Sequence, residues 1–251
     1  MSKPKVAFFD FTSCEGCQLE VLNQEPQDMI DLLNAVEIVN FREAISDKGQ
    51  DYDIAFIEGS ISRPADEVRI KKIRRQAKIL VALGACACTG GLNAIKNKYS
   101  AADYKNYVYK DKAHYERLDT YAVRPLSAVV KVDCEIPGCP INRHEFLRIV
   151  KSVLMGVTPQ LPEYPVCVEC KMKDNVCLYQ RGETCMGPVT RAGCDAICTS
   201  YGDPCTGCRG FVPHPNINAQ KDVLAKHGLS PEDVMLNFTM FNNFSKEDTT
   251  R

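Results

Sequence analysis

Residues 78–91 read Lys78-Ile-Leu-Val-Ala-Leu-Gly-Ala-Cys-Ala-Cys-Thr-Gly-Gly91. An aliphatic run that breaks on glycine and then meets a cysteine predicts a buried strand ending on a loop that carries chemistry. The pattern recurs on either side. Val6–Phe9 reads as a first strand, Glu37–Phe41 as a second, Asp53–Ile57 as a third and, after Lys78–Leu83, Ala128–Val132 as a fifth. Helical stretches separate them. Pro64 to Gln76 has a helical period, with Pro64 suited to a first turn. Asn142 and Glu145 stand three apart at the head of a helix, the spacing of a capping box. Phe146, Leu147, Ile149, Val150, Val153 and Leu154 then make its apolar face. Strand and helix in alternation predict an α/β fold, a flavodoxin-like doubly wound parallel sheet.

Four cysteines fall on that map at informative places. Cys14 and Cys17 follow the first strand, Cys86 the fourth and Cys139 the fifth. Open parallel sheets bind ligands beyond the carboxyl ends of their strands, so four thiols distant in sequence should converge at one edge. Gly84, Gly90, Gly91 and Gly138 allow tight turns there. Glu58 ends the third strand at the same edge and reads either as a candidate catalytic carboxylate or as an ordinary helix-capping or solvated one.

Eight further cysteines come later, spaced Cys167-x2-Cys170-x6-Cys177-x7-Cys185 and Cys194-x3-Cys198-x6-Cys205-x2-Cys208. A four-iron cubane takes four thiolates, so these eight suffice for two clusters and the first four for a third. Of the 14 cysteines, only Cys88 and Cys134 are left over, and both read as buried fillers. Zinc is the competing metal. Cys167/Cys170 with Cys205/Cys208 has zinc spacing, but that choice strands Cys177, Cys185, Cys194 and Cys198. Residues 158–165 carry three prolines and divide the chain into 1–157 and 166–251. The second part has too little aliphatic material for an independent core, so bound clusters should hold it together. It closes on a helical tail that starts at Ser230-Pro-Glu-Asp233.

Composition excludes several classes. The net charge is −1, so no nucleic-acid footprint is expected. No apolar run reaches the length of a membrane span. The start runs straight into the first strand with no leader before it, which predicts a cytoplasmic protein with reduced thiols. No nucleotide-binding glycine loop appears, and His114, His144, His214 and His227 show no metal-ligand pairing. The segment from Lys96 to Arg124 holds six of the chain's 10 tyrosines, and reads either as an amphipathic insertion or as a partner-binding surface.

These residues together resemble the small subunits of nickel–iron hydrogenases. Phe11-Thr-Ser-Cys14-Glu-Gly-Cys17-Gln is similar to the opening pair of that family's proximal cluster. Gly84-Ala-Cys86-Ala-Cys-Thr-Gly-Gly91 and Pro137-Gly-Cys139-Pro are similar to the segments that complete it. Cys177-Leu-Tyr and Cys185-Met-Gly-Pro-Val-Thr190 resemble distal-cluster segments, and Cys194 with Pro204-Cys-Thr-Gly-Cys208 medial ones. The likeness runs from about residue 5 to 210. It implies that Cys14, Cys17, Cys86 and Cys139 hold the proximal cluster within 1–157. It gives Cys167, Cys170, Cys177 and Cys185 to the distal cluster and Cys194, Cys198, Cys205 and Cys208 to the medial one, whereas ferredoxin-like interleaving would have mixed the two sets. Two positions depart from the best-known members. Cys167 stands where they carry histidine, and Cys198 where a three-iron cluster would have proline. Both favour three all-cysteine 4Fe-4S clusters of lower potential.

The resemblance implies an electron-relay subunit of a cytoplasmic multi-subunit hydrogenase. Its partners would be a large subunit holding the nickel–iron site and further iron–sulfur or flavin subunits linked to NAD(P) or ferredoxin. The alternatives are a complex I-type quinone-reductase cluster subunit, which shares the first domain but lacks the later eight cysteines, and a zinc-binding structural protein.

Overall fold

In β1 (Lys5–Asp10), Val6 and Phe8 enter one apolar layer and Ala7 and Phe9 the other. Both faces are buried, which is why the strand is apolar throughout instead of alternating. The structure is a computed structural model that describes residues 3–109 and 119–244. β2 (Glu37–Asn40), β3 (Ile54–Glu58), β4 (Ile79–Leu83) and β5 (Cys134–Ile136) complete a five-stranded parallel sheet. The strand order is β2-β1-β3-β4-β5, the flavodoxin-like doubly wound order.

Helices cover both faces. α1 (Gly16–Leu22) and α2 (Pro26–Ala35) contribute Val21 and Leu32 to the layer under Phe8, where α6 (Arg143–Leu154) adds Phe146, Ile149 and Val153. Phe8 stacks on Phe41 at 4.2 Å and on Phe56 at 4.9 Å, and Phe56 meets Phe146 at 5.6 Å. The opposite layer packs Ile70 and Ile73 of α3 (Pro64–Gln76) on Ala55, Ile57 and Leu80. α4 (Gly84–Thr89) leaves β4 directly, and α5 (Ala101–Val108) follows a 3-10 turn.

Two details differ from the sequence reading. The fifth strand is Cys134–Ile136, not Ala128–Val132. Asp133 fixes that register: its carboxylate accepts the Leu80 amide at 2.9 Å and its own amide donates to the Leu80 carbonyl at 3.0 Å. Val129, Val130 and Val132 instead pack, half-buried, against the α3 layer. The capping box is also only half made. Asn142 Oδ1 accepts the Glu145 amide at 2.9 Å, but the Glu145 carboxylate turns away to Arg209.

Beyond α6 the chain becomes irregular, with short helices α7 (Val166–Met172) and α8 (Ile197–Ser200) and the longer α9 (Ile217–Lys226) and α10 (Pro231–Thr239). Its apolar core is Met186, Val189, Leu224, Val234 and Phe238. Ser230 caps α10 by accepting the Asp233 amide at 3.1 Å. The tail returns to the sheet: Thr89 Oγ1 donates to the Phe241 carbonyl at 2.6 Å and Asn243 Nδ2 to that of Ala94 at 2.8 Å. Of the tyrosine-rich segment, Tyr99 and Tyr107 are exposed, while Tyr121 donates to the Arg63 carbonyl at 3.0 Å. Residues 110–118, with His114 and Tyr115, lie outside the described residues. Among those described, no helix is long and apolar enough to cross a membrane.

Candidate metal centres

The parallel register aligns the strand ends. Asp10 lies beside Glu58, Glu58 beside Leu83 and Leu83 beside Ile136. The loops that follow therefore leave the sheet side by side, and the Ala85 amide donates to the Gly138 carbonyl at 2.7 Å, tying two of them together. Cys14, Cys17, Cys86 and Cys139 meet there. Burial pushes the Cys86 thiol up to about 12, and the neighbouring Cys139 and Cys14 add to the effect. Cys17 is raised by burial, then by Glu58, Cys139 and Cys86. Burial and like charge together make bare thiolates costly here, and a cationic group among them would relieve that cost.

Glycine keeps this space open. Gly84 has φ +85°, and a side chain on it would overlap the Cys17 sulfur. At Gly91, φ +56°, a Cβ would press on Cys86. Asn93 Nδ2 donates to Cys86 Sγ at 3.5 Å. Glu58 is buried, 2% exposed, and accepts the amides of Gln18 at 2.9 Å and Cys17 at 3.3 Å. Burial raises its pKa, while those amides oppose the rise. Of its two sequence readings, catalytic carboxylate and helix cap, this geometry is that of a cap supplied from the neighbouring strand.

The later cysteines form neighbouring groups that meet at Cys185 and Cys205. Burial raises the Cys167 thiol to about 11, with Cys185, Cys170 and Cys177 adding to it. Cys185 Sγ accepts the amides of Cys205 at 3.3 Å and Gly187 at 3.4 Å. Cys208 is raised to about 12 by burial, then by Cys194, Cys139 and Cys198, against a bond from the Cys139 amide. Cys205 borders Cys185, and Cys208 borders Cys139, so the 194–208 set lies between the other two. A cleft of about 760 Å³ opens beside it, lined by Cys139, Cys194, Cys198, Cys205 and Cys208. Gly187 sits against Cys167 and Cys185, where a Cβ would stand 3.3 and 3.4 Å from the sulfurs. Open cradles, sulfur-directed amides and four thiols per set fit iron–sulfur clusters. Among the described residues no group of three or more His, Cys, Asp or Glu is arranged around a single ion.

Cys88 and Cys134 belong to the two core layers. Cys88 is buried in the α3 layer with its thiol 3.7 Å from the Ala82 carbonyl, and Cys134 packs on the opposite layer. Two further residues had no role in the sequence reading. Glu169 accepts the amides of Gly193 at 2.7 Å and Ala196 at 3.1 Å, bracketing Cys194 from the helix that bears Cys167 and Cys170. Arg209 is wholly buried against Glu145. A charge directly beside or between ligand cysteines was the available signal for both.

Residues 14–153 match the family described as NADH ubiquinone oxidoreductase, 20 Kd subunit. The chain is 34% identical to the sulfhydrogenase 2 subunit delta of Pyrococcus furiosus over 92% of this chain and 95% of that one. It is 32% identical to a subunit of the F420-non-reducing hydrogenase vhu of Methanocaldococcus jannaschii, over 97% and 95% of the two chains. Among solved structures, an NAD+-reducing [NiFe]-hydrogenase in the H2-reduced state superposes with a TM-score of 0.55 at 25% identity, over 64% of this chain and 96% of that one. The chain belongs to the 20 Kd oxidoreductase-subunit family, as a hydrogenase small subunit.

Proposed function

We propose that this chain is the electron-relay subunit of a nickel–iron hydrogenase, carrying electrons between the nickel–iron site of a partner large subunit and a further redox subunit. The observation that supports this reading is the run of neighbouring thiols from the sheet edge outward, with Cys139 lining one cleft with Cys194, Cys198, Cys205 and Cys208, and the Cys205 amide donating to Cys185 Sγ at 3.3 Å. Three 4Fe-4S clusters, one per set, would supply one-electron transfer. Cys14, Cys17, Cys86 and Cys139 would hold the proximal cluster within 1–157. Cys194, Cys198, Cys205 and Cys208 would hold the medial one and Cys167, Cys170, Cys177 and Cys185 the distal one within 166–251.

The chain's own residues do the tuning and positioning. Amides of Gly187 and Cys205 and the Asn93 side chain donate to ligand sulfurs, which stabilises the more negative, reduced state. Buried surroundings keep water from Cys17 and Cys185. Glu58 holds the Cys17 turn through its amides and adds negative charge next to the first set. We assign the complex to the cytoplasm, with iron–sulfur or flavin subunits linked to NAD(P) or ferredoxin as its further partners.

The complex I-type reading accounts for the first domain, which is the part that the family match covers, but leaves the eight later cysteines without a task. Anaerobic co-purification with the large subunit, followed by iron and sulfide analysis, tests the proposal. About twelve irons per chain are expected, four for each of three cubanes. About four irons, or zinc in place of iron, would overturn it.

A further inference from the structure

Arg209 follows Cys208 and has no exposed side-chain surface, and its partner Glu145 is 3% exposed. All three guanidinium nitrogens donate. Nη1 donates to the Pro137 carbonyl at 2.6 Å, Nε to the Ala192 carbonyl at 2.9 Å and Nη2 to Glu145 Oε1 at 2.9 Å. Nη1 also lies 2.8 Å from Glu145 Oε2.

The two carbonyls are the informative partners. Pro137 stands two residues before Cys139, of the first set, and Ala192 two before Cys194, of the middle set. One side chain therefore pins the backbone leading into ligands of two different sets, while its own backbone follows Cys208. Cys139 and Cys208 line one cleft at the same junction. Gly193 passes directly over the ion pair with φ +112°, and a side chain there would overlap both Arg209 and Glu145. Glu145 belongs to α6, which is packed on the sheet, so the latch is anchored in the first domain's core.

Burying two charges is expensive, and apolar residues of the same volume usually hold such a place as well or better. What an apolar pair cannot do is grip two carbonyls and a carboxylate in fixed directions. A relay needs that grip, because transfer between redox centres falls steeply with separation.

We infer that Arg209 is a positioning residue that latches the Cys139 loop to the loops of Cys194 and Cys208, fixing the spacing of the first and middle clusters and setting a positive charge beside the middle one. This rests on the relay reading above.

The test uses the chain co-expressed with its large subunit and purified without oxygen. Arg209→Lys keeps the charge but cannot span three acceptors. The double variant Glu145→Gln/Arg209→Gln removes both charges and strands neither. Iron per chain, magnetic coupling between adjacent reduced clusters and the midpoint potential of the middle cluster are measured. Both variants should lose the wild-type coupling between first and middle clusters and keep that between middle and distal. The middle cluster's potential should fall in the double variant and stay near wild type in Arg209→Lys. Selective loss of middle-cluster iron would also support the latch. Wild-type first–middle coupling in either variant, or iron lost alike from all three sites in both, would overturn it. A wild-type complex without iron would instead overturn the relay reading itself.

Discussion

The Glu58 carboxylate, at the end of β3, accepts the Gln18 amide at 2.9 Å on the helix that carries Cys17. It also accepts the amide of Cys17 itself at 3.3 Å. A buried acid therefore serves as the cap of a short helix whose own preceding residue, Glu15, provides no side-chain cap. Its charge lies close enough to raise the thiols of Cys17, Cys86 and Cys139. Support of the loop and electrostatic influence on the sulfurs are two separable roles.

Glu58→Gln keeps an acceptor and removes the charge, so iron content should stay at the wild-type level. The potential of the first cluster should rise, and hydrogen turnover in the assembled complex should change. Glu58→Ala leaves two buried amides unpaired, at a cost of about 1–3 kcal/mol each. It should loosen the Cys17 turn and lower first-cluster iron. Redox titration and iron analysis of both variants check this. Unchanged potential and turnover in Glu58→Gln would leave Glu58 as scaffold alone.

Cysteine substitutions should divide along the sets. Cys17→Ser and Cys139→Ser should each lose the first cluster, about four of twelve irons. Cys88→Ser and Cys134→Ser should keep all three, because their thiols face the two core layers. Iron and acid-labile sulfide assays are decisive here. A cluster lost in Cys88→Ser would mean that Cys88, not Cys86, is the ligand.

Glycine positions give a test that leaves every ligand in place. Gly187→Ala puts a methyl between Cys167 and Cys185 in a backbone conformation that alanine tolerates. The distal cluster should be lost or halved in occupancy, with the other two retained. Gly84→Ala combines φ +85° with overlap on the Cys17 sulfur and should remove the first cluster instead. Spectra that resolve the three clusters would show whether the losses fall on those two sites.

Much of this was legible in the sequence because strands and ligand loops are local. The run Lys78–Gly91 contains both the strand and the turn that presents Cys86, so no distant contact was needed to read it. The fifth strand was misplaced because Val129, Val130 and Val132 carry strand-forming side chains, whereas the register is fixed by hydrogen bonds from Asp133 to Leu80, 53 residues away. Glu145 was read as a capping partner because three-residue spacing cannot report an arginine 64 positions later. The partners of Glu169 are hidden from the sequence for the same reason: Gly193 and Ala196, whose amides it accepts, lie in another loop.

That carboxylate offers a further check. Glu169 joins the helix of Cys167 and Cys170 to the turn of Cys194, where Asp195 and Ala196 both hold positive φ, of 63° and 47°. Glu169→Ala frees two amides and should release a strained turn. The middle cluster should then lose iron before the distal one, although the altered residue sits among distal ligands. Iron loss confined to the distal site would contradict this.

The last expectation concerns assembly. Cys14 and Cys139 are exposed at the edge where the first set lies; Leu19, on the helix that carries Cys17, is 53% exposed and Leu92, on the turn after Cys86, 45%. Apolar side chains flanking reactive thiols at a sheet's ligand-binding edge suit a permanent interface, which should bury more than ~2,000 Å². Tyr99 and Tyr107, with Met235 and Leu236 of α10, supply further exposed candidates, although the tail's Phe241 is spent on the chain's own core. Leu19→Glu with Leu92→Glu should abolish co-elution with the large subunit, because two buried charges without partners would face its surface. The same double variant should leave the sheet intact, since both side chains lie outside the two core layers. Expressed without a large subunit, the wild-type chain should aggregate or bind iron poorly, and co-expression should rescue it. A soluble, iron-replete monomer with its first-cluster edge open to solvent would overturn this account of the interface.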